Sequence, residues 1–232
     1  MSKVQTISKF IFLGTGINKL LITFIPGLLA LIVGITTGYA FGVKPNFLLG
    51  DLADLAGQVN PLYGLFTKIG VWCWFSTAIL CLFTATTLRK LKSRQMFNFL
   101  MYSGILSTYL GIDDDLMFHD FVAPRYLNIP ENYVLAVTLI AFIVYVIKFH
   151  KLILNNNYTF FILAISLLGM SLGLDVLIPE NFKNINTVRQ LNGPGEDIFK
   201  FLGIISWLSY FFYYCCDLFT NTLSSAEKPE KV

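Results

Sequence analysis

Val71-Trp-Cys-Trp-Phe-Ser-Thr-Ala-Ile-Leu-Cys-Leu-Phe-Thr-Ala-Thr-Thr-Leu88 runs without a charge and stops against Arg89-Lys-Leu-Lys-Ser-Arg94, the densest basic cluster in the chain. A helix needs roughly 20 predominantly apolar residues to cross a bilayer core. Basic residues collect where such a helix meets the cytoplasm. The stretch therefore reads as a membrane span with its C-terminal end inside the cell. Trp72 and Trp74 fall near the other end, where amphipathic rings favour the membrane interface.

The same reading extends in both directions. Upstream, about 20–41 is apolar, and Ala30, Gly34, Gly38 and Gly42 recur every fourth residue. Such a small-residue face lets another helix approach closely. Downstream, further spans are predicted at about 96–112, 133–147, 158–178 and 198–219. The fold class is all-α: a polytopic membrane protein, a bundle of six transmembrane helices with short interfacial helices. One transmembrane domain covers 1–223, and 224–232 is a disordered cytoplasmic tail. The interfacial candidates are the start of the chain, where Lys3 and Lys9 alternate with apolar residues, and a stretch where Leu48, Leu49, Leu52 and Leu55 recur opposite Asp51 and Asp54. Gly193-Pro-Gly195 is expected to close a polar loop before the last span.

Composition agrees with this reading. Of 232 residues, 55% are hydrophobic and only 13% charged, against roughly 25% charged in soluble domains. The net charge of +3 does not indicate nucleic-acid binding, because the basic residues sort by membrane side. With the N-terminus in the cytoplasm, Lys3, Lys9, Lys19, Arg89, Lys90, Lys92, Arg94, Lys148 and Lys151 all fall inside. Both termini are then cytoplasmic. The apolar run after Lys19 is too long for the core of a cleavable signal peptide. Cys73, Cys81, Cys215 and Cys216 lie inside apolar runs and read as small polarizable core residues.

The acids gather at the opposite, external end. Ser107-Thr-Tyr-Leu-Gly-Ile-Asp-Asp-Asp-Leu-Met-Phe-His-Asp120 turns an apolar run into three carboxylates followed by a histidine. If the third helix continues past Ile112, Ser103, Ser107 and Asp114 share one face and Thr108, Asp115 and His119 another. Asp115 and His119 are then neighbours one turn apart, able to hold one cation. Asp175 reaches the same end one turn after Ser171, with Gly169 and Gly173 permitting close packing. Glu196 opens the last span at a helix N-terminus, and Lys200 follows one turn later inside the apolar run. The stripe Glu196, Lys200, Gly203, Trp207, Tyr210 and Tyr214 reads as an inward face, polar outside and aromatic deeper. Asp113, Asp120, Glu131 and Glu180 read as solvated loop charges, and His150 as a flanking residue.

This constellation suits a divalent metal ion held by Asp114, Asp115, His119 and Asp175, with Glu196 as general base and Lys200 steadying an anion. The stretch from Ser107 to His119 resembles the alkaline ceramidases and adiponectin receptors, zinc-dependent membrane hydrolases. That likeness implies a metal-dependent, lipid-modifying hydrolase. Those proteins carry a seven-helix core and a late pair of histidines completing a three-histidine zinc site. Here six spans are expected, and His119 and His150 fall on opposite membrane sides, which excludes such a site. The same acids and the Glu196–Lys200 pair also suit a proton- or cation-coupled carrier. The aromatic and glycine faces suit a non-enzymatic accessory subunit of a membrane complex. The expected partners are the lipid bilayer, a lipid or small-molecule ligand, and a second copy or a larger membrane complex.

Overall fold

The computed structural model of the chain describes residues 16–40, 42–43, 45–49, 64–89, 93–155, 158–177 and 186–226. The expected interfacial segment at the start of the chain, and Leu52 and Leu55 of the second one, lie outside the described residues. So do some side chains within helices, that of Asp175 included.

The elements are α1 (Gly16–Ala40), α2 (Pro45–Leu49), α3 (Leu65–Thr87), α4 (Arg94–Leu116), a π-helical turn (Phe118–Val122), α5 (Ala123–Tyr126), α6 (Glu131–Leu154), α7 (Thr159–Leu177) and α8 (Asn186–Ala226). Among the described residues every element is helical. α3, α6 and the Pro194–Ser224 part of α8 are long and apolar enough to cross a membrane. They mark an integral membrane protein. α1 and α7 carry shorter apolar stretches, Phe24–Ala40 and Thr159–Leu174. In α4 the apolar run is diluted by Ser103, Ser107, Thr108 and the three aspartates. The structure thus establishes an all-α bundle with, among the described residues, three helices of crossing length.

α3 lies at the centre, against α4 on one side and α8 on the other, while α8 also packs along α7. In lipid, apolar surface gives helices little reason to associate, so close packing and interhelical hydrogen bonds must hold them. Gly104 shows how close the approach is. A Cβ there would stand 2.6 Å from Cγ of Leu82 and 3.2 Å from the Ala78 carbonyl oxygen. Gly111, two turns on, also brings α4 close, and a Cβ there would stand 3.0 Å from the Cβ of Trp74. On α1, Gly34 faces the Phe66 ring and Gly38 faces Leu48, so the small-residue face seats α2 and α3.

The core is aromatic. Trp207 is fully buried among Trp74, Phe142, Tyr145, Phe161 and Phe211, with ring centroids 5.1 to 6.4 Å away. Gly203, Trp207, Tyr210 and Tyr214 are all buried, as their spacing predicts. The four cysteines are free thiols. Cys81 and Cys215 are buried, and the Cys215 thiol reaches across from α8 to the Leu80 carbonyl of α3 at 4.0 Å.

Three local expectations are corrected. Trp74 faces the bundle rather than the lipid. It is buried, while Trp72 is 65% exposed, because adjacent helical positions point about 100° apart. Gly193-Pro-Gly195 does not form a loop. α8 starts at Asn186 and runs through it, with Pro194 inside the helix and no left-handed φ at Gly195. Gly169 does not serve close packing, since a Cβ there would meet nothing within 4 Å. It lines a groove of about 340 Å³ between the outer halves of α6 and α7.

Candidate functional site

α4 ends where Met117 takes a left-handed conformation, φ 48° and ψ 50°, and its N–H closes on the Asp113 carbonyl. The chain then winds into the π-helical turn, with Phe121 N–H on the Met117 carbonyl at 2.8 Å. This reversal carries His119 back over the helix end. Its backbone N–H donates to Oδ1 of Asp113 at 3.1 Å, and its ring Nδ1 lies 2.7 Å from Oδ2. An ionised carboxylate only accepts, so Nδ1 carries the proton. Nε2 lies 3.3 Å from Oδ1 of Asp120. Burial pulls the His119 pKa down and Lys200 opposes its charge. The hydrogen bond and charge of Asp113, with Asp120, outweigh both, and the net shift is upward.

This geometry corrects two readings. The helix does not continue to His119, so Asp115 and His119 do not stack one turn apart. Asp115 is exposed, and the histidine belongs to Asp113. Asp113 in turn is no solvated loop charge: it is buried beneath the turn it organises. The physical reason in both cases is the left-handed residue at 117, which ends the α-helix and redirects the chain into the π-helical turn.

Asp114 points the other way, into the bundle. Trp74 donates its indole N–H to Oδ2 at 2.7 Å, and Nζ of Lys200 lies 2.9 Å from Oδ1. The close seating of Gly111 on Trp74 puts the indole within reach. The ion pair bounds a small cleft of about 20 Å³ lined by Thr67, Asp114, Asp197 and Lys200, with Phe66 and Phe201 among its apolar walls. Phe66 and Phe201 meet edge to face at 5.2 Å. Asp197, rather than Glu196, is the α8 acid that lines the cleft. The spacing signal for it was present: Asp197 and Lys200 are three residues apart and share a helix face.

The predicted metal ligands are only partly assembled. Asp114 has one oxygen on Trp74 and the other on Lys200. Asp113 has both on His119. Asp115 is exposed and the Asp175 side chain lies outside the described residues. Among the described residues no three His, Cys, Asp or Glu side chains are grouped so as to hold a metal ion. Glu196 is half-buried one turn before Lys200. His150 is exposed, with Nδ1 on the carbonyl of Ile147 in its own helix at 2.7 Å, as expected of a flanking residue.

Both halves of the cluster, residues 113–120 and 196–200, fall within residues 22–214, which match a domain of unknown function, DUF8692. The chain belongs to the DUF8692 family. Compared with curated proteins and with solved structures, it matches none. For this DUF8692 member, chemistry must be read from the cluster itself. His119, held between two carboxylates, can take up or release a proton. The Asp114–Lys200 pair can open only if another charge, or a proton on Asp114, replaces the lost attraction.

Proposed function

We propose that the chain is a six-span membrane protein with both termini in the cytoplasm, and that its external cluster serves a proton- or cation-coupled carrier. The observation carrying this reading is the Lys200–Asp114 pair. An ammonium inside an apolar helix is held by a carboxylate that borders an open cleft. Intramembrane ionisable groups are costly and face pathways or partners. A cation entering the cleft competes with Lys200 for Asp114, and a proton on Asp114 releases Lys200. In this reading Asp113, His119 and Asp120 supply the proton exchange, since the charge of Lys200 acts on His119. The test uses the purified chain in liposomes enclosing a pH-sensitive dye. A cation gradient should drive proton movement, and Asp114→Asn or Lys200→Met should abolish it. Liposomes in which the wild-type protein moves neither protons nor cations would sink the carrier reading.

The Asp113–His119 contact favours a second reading. A carboxylate on Nδ1 is the arrangement that orients a histidine for general-base work. In this reading Asp114, Asp115, His119 and Asp175 hold a divalent metal, Glu196 acts as general base and Lys200 steadies an anion, giving a lipid-modifying hydrolase. It requires Asp114 to release both Trp74 and Lys200. A stoichiometric metal in the purified protein, lost in the Asp114→Asn/His119→Ala double mutant, together with hydrolysis of a lipid ester or amide, would select it.

A further inference from the structure

Between α4 and α6, residues 117–130 fold into an elbow made of Met117, the π-helical turn, α5 and a short link that ends in Pro130. The turn and α5 both lie against α6, and the turn also lies against α4. The exposed side chains of the elbow are mostly apolar. Phe121, Tyr126, Leu127 and Ile129 all stand out, Tyr126 by 68% and Leu127 by 52%. Besides His119, the charged or titratable residues in the segment are Asp120, Arg125 and Tyr126. Asp120 meets Nε2 of His119 at 3.3 Å, and the Arg125 guanidinium lies over the Phe121 ring, Cζ 5.2 Å from its centre. Phe121 and Tyr126 meet edge to face at 6.2 Å. Apolar side chains gathered this way on an exposed surface mark a contact.

The backbone suits surroundings poor in water. The N–H of His119 is bound to Asp113, those of Phe121 and Val122 to the Met117 carbonyl, that of Ala123 to the Phe118 carbonyl, and those of Leu127 and Ile129 to the Ala123 carbonyl. Pro124 and Pro130 have no N–H to satisfy. Backbone donors that find partners within the chain lower the cost of leaving water. The place of the elbow says what surrounds it. α6 is of membrane-crossing length and begins at Glu131. Its 24 residues rise about 36 Å, slightly more than a hydrocarbon core of about 30 Å. Its first turn therefore stands at the membrane boundary. Below it, Tyr133, Val137, Ile140, Val144 and Ile147 recur at helical spacing and are each more than half exposed, a row that faces lipid.

We infer that the elbow is inserted into the bilayer interface at the end where α6 begins, with Phe121, Tyr126, Leu127 and Ile129 among the headgroups and upper acyl chains. Rings with a polar tip favour that level. Arg125 lays its stem on the Phe121 ring and keeps its head with phosphate and water. The Asp113–His119 pair beside the elbow is thereby held at headgroup depth. The inference rests on neither reading of the external cluster, since it requires no transport and no reaction.

The test places a nitroxide label on the full-length protein in phosphatidylcholine liposomes, through Tyr126→Cys or Leu127→Cys. Val137→Cys serves as the reference for lipid and Asp115→Cys for water, and wild type treated alike corrects for the native thiols. Collisions with oxygen, which concentrates in hydrocarbon, are compared with collisions with a water-soluble nickel chelate. Oxygen should dominate at 126 and 127, less strongly than at 137, and nickel should dominate at 115. Nickel dominance at 126 and 127 overturns the insertion. Labels held immobile and reached by neither agent would show that protein, such as a second copy of this chain, covers the face, and would overturn the assignment of lipid. Leu127→Trp gives a second measurement free of cysteine. The fluorescence it adds over wild type should be quenched by phosphatidylcholine brominated high on its acyl chains, and added fluorescence that escapes quenching overturns the inference.

Discussion

Trp207 donates its indole N–H to Oγ of Ser107 at 2.9 Å, and this bond sits two turns below the ion pair of Asp114 and Lys200 on both helices at once. Seven residues separate 107 from 114 and 200 from 207, about 10.5 Å of helix in each case. α4 and α8 run antiparallel and are joined by two polar rungs of matched spacing.

The inner rung should matter for stability. Ser107→Ala leaves a buried indole N–H without its acceptor and should cost about 1–3 kcal/mol. Adding Trp207→Phe removes the orphaned donor, so the double variant should lose less than the sum of the two single changes. Unfolding in mixed micelles measures this. Simple additivity would show that the bond contributes nothing.

The outer rung should show coupling. A double-mutant cycle with Asp114→Asn and Lys200→Met should give about 1–2 kcal/mol between the two sites. The value is set below that of a fully buried pair because the Lys200 side chain remains 29% exposed. A coupling indistinguishable from zero would mean that the 2.9 Å contact is energetically idle.

His119 should make stability pH-dependent. Its pKa is raised in the folded state by Asp113 and Asp120, which overcome burial. Its contribution is therefore complete below its ordinary value of 6.5 and is lost as pH rises through the raised folded value. Melting temperatures recorded across that window should fall with increasing pH in the wild type and stay flatter in His119→Gln. The same slope in both proteins would assign the effect to another group.

Two glycines should respond oppositely to the same change. Gly104→Ala drives a Cβ into Leu82 and the Ala78 carbonyl and should destabilise by about 1–3 kcal/mol. Gly169→Ala meets open space and should be neutral or gain up to about 1 kcal/mol from helix propensity. Thermal unfolding of the two variants side by side decides it, and equal losses would contradict the packing described for α3 and α4.

The topology has its own check. On a cysteine-free background, a single cysteine at position 92 should be labelled from the cytoplasm and one at position 186 only from outside. Labelling of both from one side would remove the six-span arrangement.

The helical class, the inward stripe on α8 and the polar face of Ser103, Ser107 and Asp114 were all legible, because side chains four and seven residues apart share a helix face whatever surrounds them. The partners were not. Ser103 meets Tyr145, Ser107 meets Trp207, and Asp114 meets Trp74 and Lys200, and periodicity within one helix says nothing about which neighbour it faces. His119 was assigned to the wrong aspartate for a different reason. Met117 is not a residue that announces a left-handed turn, so nothing local separated a helix ending at Leu116 from one running on. Trp74 was misplaced because its hydrogen-bond partner lies 40 residues away.

The outer half of α6 stands apart from α7 across the groove lined by Gly169, yet Tyr109 reaches it with a hydroxyl bond to Thr138 at 2.8 Å. Nearly two turns deeper, Ser103 and Tyr145 repeat the connection at 2.7 Å. A contact between hydrocarbon surfaces tolerates sliding, whereas two hydroxyl bonds at different depths fix both the rotation and the height of a rod. α6 can therefore change its lipid-facing side chains without losing its setting against α4. It behaves as a stave pegged at two heights: its outward face answers to the membrane and its inward face to a pair of pegs.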